Sequence, residues 1–289
     1  MAIKGVKLSA LTLQFSCGFL LAVIIIIVEN VNIFDNYWKV IMRKLVILII
    51  LAVVLITVVS LSGCFVGGVV TGSGNLVTEE MDFSGFTRVE VGYAFEVVIA
   101  QSSSYSVSIT VDDNLSDFIR VSKTGETLKI GLKSGYSCQS GTLKAVITMP
   151  ELHGLALSGG SRVTIGGFHS SQDFKLNLSG ASSVTGGITT DNADFNLSGA
   201  STVDLTGSAN DVLIRASGGS QLYLDKFPVR NADVNLSGGS EATVKLDGTL
   251  KGNLSGGSQL YYVGETTIGD IDISGGSVME KIEPPRLSP

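Results

Sequence analysis

The chain has 289 residues, which suits one or two domains. Glycine accounts for 35 of them, proline for 5, and only 16% are charged, the profile of a turn-rich β protein. Net charge is −6, and residues 64–289 alone hold 15 Lys/Arg against 24 Asp/Glu, a body too acidic to suit nucleic acid, while three Cys and two His set far apart do not assemble a zinc cluster.

Two apolar stretches open the chain, residues 20–28 and 45–59. The second is framed by Met42-Arg43-Lys44 before it and Leu61-Ser62-Gly63-Cys64 after it, the order of a secretory signal over residues 42–63. A Cys directly after Leu-Ser-Gly resembles the bacterial lipobox. The resemblance implies cleavage between Gly63 and Cys64 and acylation of Cys64, whose two or three chains give stable anchoring where one does not. A plain membrane helix over residues 45–63 is the alternative, and both place the remainder outside the cytoplasm. Residues 1–41 carry their own apolar segment ahead of a complete signal. They are expected to be a mis-assigned upstream extension with Met42 as initiator, the alternative being a helical hairpin. Residues 64–75, rich in Gly, Val and Ser, are expected to be a tether.

The strand-like segments of residues 86–150 alternate, as in Val89/Val91, Val97/Ile99, Leu128/Ile130 and Ala145/Ile147, with residues 112–119 either a helical turn or a loop. They are expected to form irregular starting coils. From residue 155 onward a motif, apolar-Ser-Gly-(Gly/Ala)-Ser, occurs seven times. Its first Ser falls at 158, 179, 198, 217, 237, 255 and 274, steps of 18 to 21 residues. Apolar residues flank each motif at alternate positions, Leu176/Leu178 and Val203/Leu205 among them, which is the period of a strand. The opposite parity holds Asn177, Asn196, Arg215, Asn235 and Asn253 two residues before the first Ser, and Lys175, Asp194, Asp233, Lys251 and Asp270 four before it. Each repeat is therefore strand, corner, strand, turn, with the glycine pair supplying corner angles barred to other residues. One such unit cannot bury a core alone, and stacking removes that difficulty. Seven rungs about 4.8 Å apart make a rod about 30 Å long. The predicted fold is all-β, a single-chain parallel β-helix, or solenoid, of about 19 residues per turn over residues 76–283. A hydrophobic signal or anchor helix precedes it. Residues 284–289 form a tail, whose Pro284-Pro285 stops strand pairing.

The segments Phe83-Ser84-Gly85-Phe86-Thr87-Arg88-Val89, Phe95-Glu96-Val97, Asp112-Asp113-Asn114-Leu115 and the recurrent Leu-Ser-Gly-(Gly/Ala)-Ser resemble the bacterial family called "Putative auto-transporter adhesin, head GIN domain". The likeness covers roughly residues 75–280. It implies a right-handed β-helix in a secreted or lipid-anchored protein. No set of amphipathic membrane strands follows, so self-transport is not implied.

Ser-Gly-Gly-Ser loops cradle phosphate when they open a helix; here a strand follows. Five Asn-Leu-Ser sequons, at Asn114, Asn177, Asn196, Asn235 and Asn253, arise from the repeat. The alternating charges of Asp233, Lys251 and Asp270 suit a surface ladder better than a catalytic pair. Tyr223 and Tyr261 are expected on the exposed parity two rungs apart, where aromatic rings can stack on sugars. Cys138 is expected to be a buried free thiol, and His153 and His169 surface residues. The function expected is that of a non-enzymatic cell-envelope lipoprotein, its membrane contact a lipid on Cys64 and its partner an envelope or host glycan or protein. No catalytic residue, cofactor or metal is expected, and no nucleic acid. The alternatives are a polysaccharide lyase or hydrolase on the same scaffold and a purely structural spacer.

Overall fold

The computed structural model describes residues 68–283. The signal over residues 42–63, the upstream segment 1–41 and the tail 284–289 lie outside them. Among the described residues no helix is long and apolar enough to cross a membrane. They belong to one compact unit, Gly67–Pro289.

A first group of strands comprises β1 (Val69–Thr71), β2 (Leu76–Met81), β3 (Arg88–Val91), β4 (Glu96–Gln101), β5 (Ser106–Asp112), β6 (Ile119–Thr124), β7 (Thr127–Leu132), β8 (Ser137–Ser140) and β9 (Leu143–Met149). The repeats continue as β10 (Gly154–Leu157), β11 (Arg162–His169), β12 (Phe174–Leu178), β13 (Ser183–Thr189), β14 (Asn192–Leu197) and β15 (Thr202–Ala216). They close with β16 (Gln221–Leu236), β17 (Glu241–Leu246), β18 (Thr249–Leu254), β19 (Gln259–Val263), β20 (Thr267–Ile273) and β21 (Val278–Lys281). Asp113–Phe118 makes a short 3-10 turn, the only helical element among the described residues.

The chain is all-β, and its repeats coil into a β-solenoid of about 6 turns, delimited by the seven corners. Alternation decides which residues meet. Leu157, Leu178, Leu197, Ala216, Leu236, Leu254 and Ile273 are successive parallel partners along the first sheet. Val163, Val184, Val203, Leu222, Ala242, Leu260 and Met279 are their counterparts along the second. Both rows point inward. Between them Phe174 and Phe195 pack edge to face with ring centroids 6.3 Å apart, and Phe227 packs on Phe195 in a tilted arrangement at 6.1 Å.

The corners line up directly on one another. Ala200 N donates to Gly180 O at 2.8 Å, Gly219 N to Gly199 O at 2.8 Å and Gly257 N to Gly238 O at 2.8 Å. Five closing serines are buried yet satisfied within their own turn: Ser161, Ser182, Ser201, Ser220 and Ser240 donate Oγ–H to the carbonyl three residues back at 2.8 to 2.9 Å, while Ser258 donates to Ser277 Oγ of the next corner at 3.2 Å. The expectation that both glycines serve the backbone holds at the first corner, where Gly159 (φ 64) and Gly160 (φ 81) are both left-handed, but not at the later ones: Gly218 has φ 76, whereas Gly219 has no positive φ and faces open space, and Ala181 and Ala200 stand at the same position.

Residues 86–150 do more than start the coil. β3 and β4 stack in register beneath β10 and β11, while β7 and β9 pair in parallel with their other edges, so the coil formed first in sequence lies between two later ones. Antiparallel strands then close this end: β6 on β7, β5 on β9, and β2 on β5. Antiparallel pairing lets short hairpins end a stack that a parallel rung would leave open. The expected tether is fastened from Val69 on, because β1 pairs with β8. Asp112, 2% exposed, accepts hydrogen bonds from Gly74 N and Thr142 N, which locks the junction. Cys138 on β8 is half-buried, less sheltered than expected; burial and then the Asp112 carboxylate raise its thiol pKa, so it stays protonated. At the far end the last rung exposes Ile268, Ile273 and Val278, where the core runs out.

Candidate ligand-binding trough

On the outward face of the first sheet, parallel register converts sequence repeats into straight rows of side chains one rung apart. Nearest the strand starts stand Asp173, Asn192, Asp211, Asn231 and Thr249. They bond along the row: Asn192 Nδ2 donates to Asp173 Oδ1 at 2.9 Å, Asn231 Nδ2 to Asp211 Oδ1 at 2.7 Å, and Thr249 N to Asn231 Oδ1 at 2.9 Å. The next row is Lys175, Asp194, Leu213, Asp233 and Lys251, with Lys175–Asp194 at 3.6 Å and Lys251–Asp233 at 3.5 Å. A third is Asn177, Asn196, Arg215, Asn235 and Asn253. Arg215 Nη1 reaches Asp194 Oδ1 at 3.0 Å, and Asn253 Nδ2 donates to Asn235 Oδ1 at 2.8 Å. The first serines of the corners form the fourth row.

Together the rows line a long trough. One depression of about 690 Å³ follows the asparagine and corner-serine rows from Ala156 to Ser255. A second of about 1110 Å³ follows the two charged rows from Arg88 and His153 to Lys251. The charge ladder read from Asp233 and Lys251 is present, but a register shift between Leu250 and Gly252 interrupts it before Asp270. The carboxylates gathered here, Asp173, Asp191, Asp194, Asp211 and Asp233, each hold an amide or cationic partner, Asp191 through Asn210 Nδ2 at 2.6 Å. Such a surface presents many pre-oriented amides and hydroxyls, its carboxylates each held by an amide or a cation, which suits hydrogen bonding to an extended uncharged polymer. Among the described residues no group of three or more His, Cys, Asp and Glu is placed to hold a metal ion.

Tyr223 and Tyr261 stand in one outward row of the second sheet with Thr243 between them, two rungs apart, and both are half-buried. Neither lines the trough. Tyr261 Oη donates to Gln259 Oε1 at 2.9 Å. His153 lies at the trough margin with Nε2 2.7 Å from Glu151, and His169 is exposed. Cys64 and Gly63 fall outside the described residues. Sequence reasoning identified the asparagine row but not its concavity, because alternation tells which side chains face outward and not how the sheet curves.

No curated protein matches the chain. Solved structures do. A "putative adhesin" from Bacteroides fragilis is 19% identical, with a TM-score of 0.70 over 74% of this chain and 100% of that one. A "putative lipid binding protein" from Parabacteroides distasonis is 21% identical, with a TM-score of 0.62 over 74% and 100%. A "putative adhesin" from Parabacteroides merdae is 19% identical, with a TM-score of 0.59 over 74% and 98%. At such identities they speak for the fold alone. Residues 85–266, spanning both the capped end and the repeats, match a family of known description, and the chain belongs to that family, "Putative auto-transporter adhesin, head GIN domain".

Proposed function

We propose that this protein is a non-enzymatic, lipid-anchored binding protein of the cell envelope whose trough takes up an extended, hydroxyl-rich polymer, a glycan in the first instance. The observation that carries this reading is the asparagine row, repeated at rung spacing along a depression whose charges are already compensated. A row of four asparagines, interrupted only by Arg215, suits a ligand that itself repeats. Family membership and adhesin-type neighbours support an extracellular or envelope-associated place. The coil is taken as right-handed, the hand that parallel crossovers adopt almost without exception.

Residues 67–289 are to be tested against an array of envelope glycans, alongside vesicles made of envelope phospholipids. With Asn196→Ala/Asn235→Ala, glycan binding is expected to weaken by roughly tenfold or more, since each lost hydrogen bond costs about 1 kcal/mol. Tyr223→Ala/Tyr261→Ala is expected to leave it unchanged. The reverse pattern moves the site to the second sheet. Binding to vesicles alone would replace the glycan by lipid, as the name of the Parabacteroides distasonis neighbour has it, and newly formed reducing ends would favour a hydrolase acting through the trough carboxylates. The anchor has a separate test. Cys64→Ser is expected to abolish incorporation of labelled fatty acid and to release the protein from the membrane fraction.

A further inference from the structure

Among the described residues, the only non-glycine residues with positive φ are neighbours, Tyr93 and Ala94, both at φ 61. Left-handed backbone is costly for a side chain with a Cβ, and more so for a bulky one. The place is telling. Val91 pairs with Leu157 and Glu96 with Arg162, so Gly92-Tyr93-Ala94-Phe95 occupies the corner that Ser158-Gly159-Gly160-Ser161 forms one rung above. Every other corner of the stack places glycine where Tyr93 stands. Here the chain keeps the strained conformation and adds an aromatic ring that is 44% exposed.

The ring does not fill the core. It lies over β7 at Gly131, where an added Cβ would come within 2.9 Å of Tyr93 Cδ2. Gly131 is thus the opening that lets the ring settle on the outward face of the first sheet. There Tyr93, Arg120, Ser122 and Lys129 line a depression of about 370 Å³. Glu90 and Ser158 line both this depression and the asparagine-serine trough, so the two are continuous. Lys129 is neutralised by Glu90 at 2.6 Å, and Arg88 stands 3.6 Å from Glu126, whereas Arg120 is exposed and has no ion-pair partner among the described residues. One open aromatic face, one spare guanidinium and two serine hydroxyls therefore converge at the capped end of the trough.

Resting on the trough reading, we propose that Tyr93 and Arg120 form a terminal subsite that holds the end sugar of the bound glycan, and that this sugar carries a carboxylate. Strain kept at an exposed position marks a residue retained for contact rather than for packing. The Tyr93 ring stacks on the apolar face of the sugar, and the planar guanidinium of Arg120 takes the carboxylate through two parallel hydrogen bonds. The trough beyond, its carboxylates held by amides and cations, takes the uncharged remainder of the chain.

The test uses the full-length protein and two oligosaccharides that differ only in their end residue, glucuronic acid or glucose. Tyr93→Gly is expected to weaken binding of the glucuronate-ended ligand roughly tenfold and, by removing the strain, to raise the unfolding midpoint. A residue kept for packing would lower that midpoint when removed. Arg120→Gln is expected to abolish the preference for glucuronate over glucose while leaving the midpoint in place. The proposal is overturned if Tyr93→Gly binds as tightly as wild type, if it is less stable, or if wild type shows no preference for the acidic end. In each of these cases the trough reading stands as long as wild type binds both oligosaccharides in a manner sensitive to Asn196→Ala/Asn235→Ala. Loss of all glycan binding in wild type removes both.

Discussion

Phe195→Ala is expected to lower the stability of the solenoid by about 3–5 kcal/mol, the usual cost of emptying a fully buried phenylalanine site. Phe195 is 0% exposed and sits between Phe174 and Phe227, so its removal leaves two aromatic contacts without a partner. The neighbours have little freedom to collapse into the space. Their backbones are held in register by ladders above and below, which keeps the cavity open. In a stack where each rung contacts only its neighbours, the loss also weakens both adjoining interfaces. Urea denaturation followed by circular dichroism measures the effect; Trp38, the only tryptophan, lies outside the described residues. Hydrogen exchange should show protection falling most in β12, β14 and β15. Val146→Ala, at a position 52% exposed, is the control, expected within about 0.5 kcal/mol of wild type. A Phe195→Ala protein as stable as this control would mean the aromatic column is not part of the core.

Adjacent glycines in one corner are expected to respond in opposite ways. Gly218 combines φ 76 with a position where a Cβ would lie 2.5 Å from Gly199 O, the carbonyl that accepts the hydrogen bond joining the two corners. Gly218→Ala therefore imposes a left-handed alanine, about 1–2 kcal/mol, and in addition pushes two rungs apart, bringing the loss to roughly 2–4 kcal/mol. At Gly219 there is open space and no positive φ, and alanine stands there naturally in two other corners as Ala181 and Ala200. Gly219→Ala is expected to be neutral or to stabilise by up to about 1 kcal/mol, because the unfolded chain loses freedom. Thermal unfolding of the pair decides the matter. Equal losses at both sites would contradict direct corner-on-corner stacking.

Much of this architecture is legible in the spacing of the residues alone. Seven serine-glycine corners at steps of 18 to 21 residues, with apolar residues at alternate positions, dictate a coil whose partners are one repeat away. The asparagine and charged rows follow from the same arithmetic, since period two assigns each residue a face and the repeat assigns it a neighbour. Both are local rules, and local rules can be read along a chain.

What lay beyond them depends on contacts between segments with no repeat in common. That β3 and β4 lie between β7 and β9 on one side and β10 and β11 on the other is a choice among several equally alternating strands, decided by which pairing buries the most apolar surface while satisfying every edge. The antiparallel cap, the fastening of β1 through Asp112 and the curvature that makes a row of asparagines into a trough have the same origin. Tyr93 is the clearest case. Gly92-Tyr93-Ala94-Phe95 bears no likeness to Ser-Gly-Gly-Ser, and only the register with Ser158 to Ser161 reveals it as a corner with a tyrosine forced into the place of a glycine. Sequence alone determined the repeat, the class of fold and the outward rows, because these depend on spacing. The order of the stack, its closed and open ends and the place where an aromatic ring meets the trough were decided by tertiary packing, because they depend on which distant surfaces exclude water together.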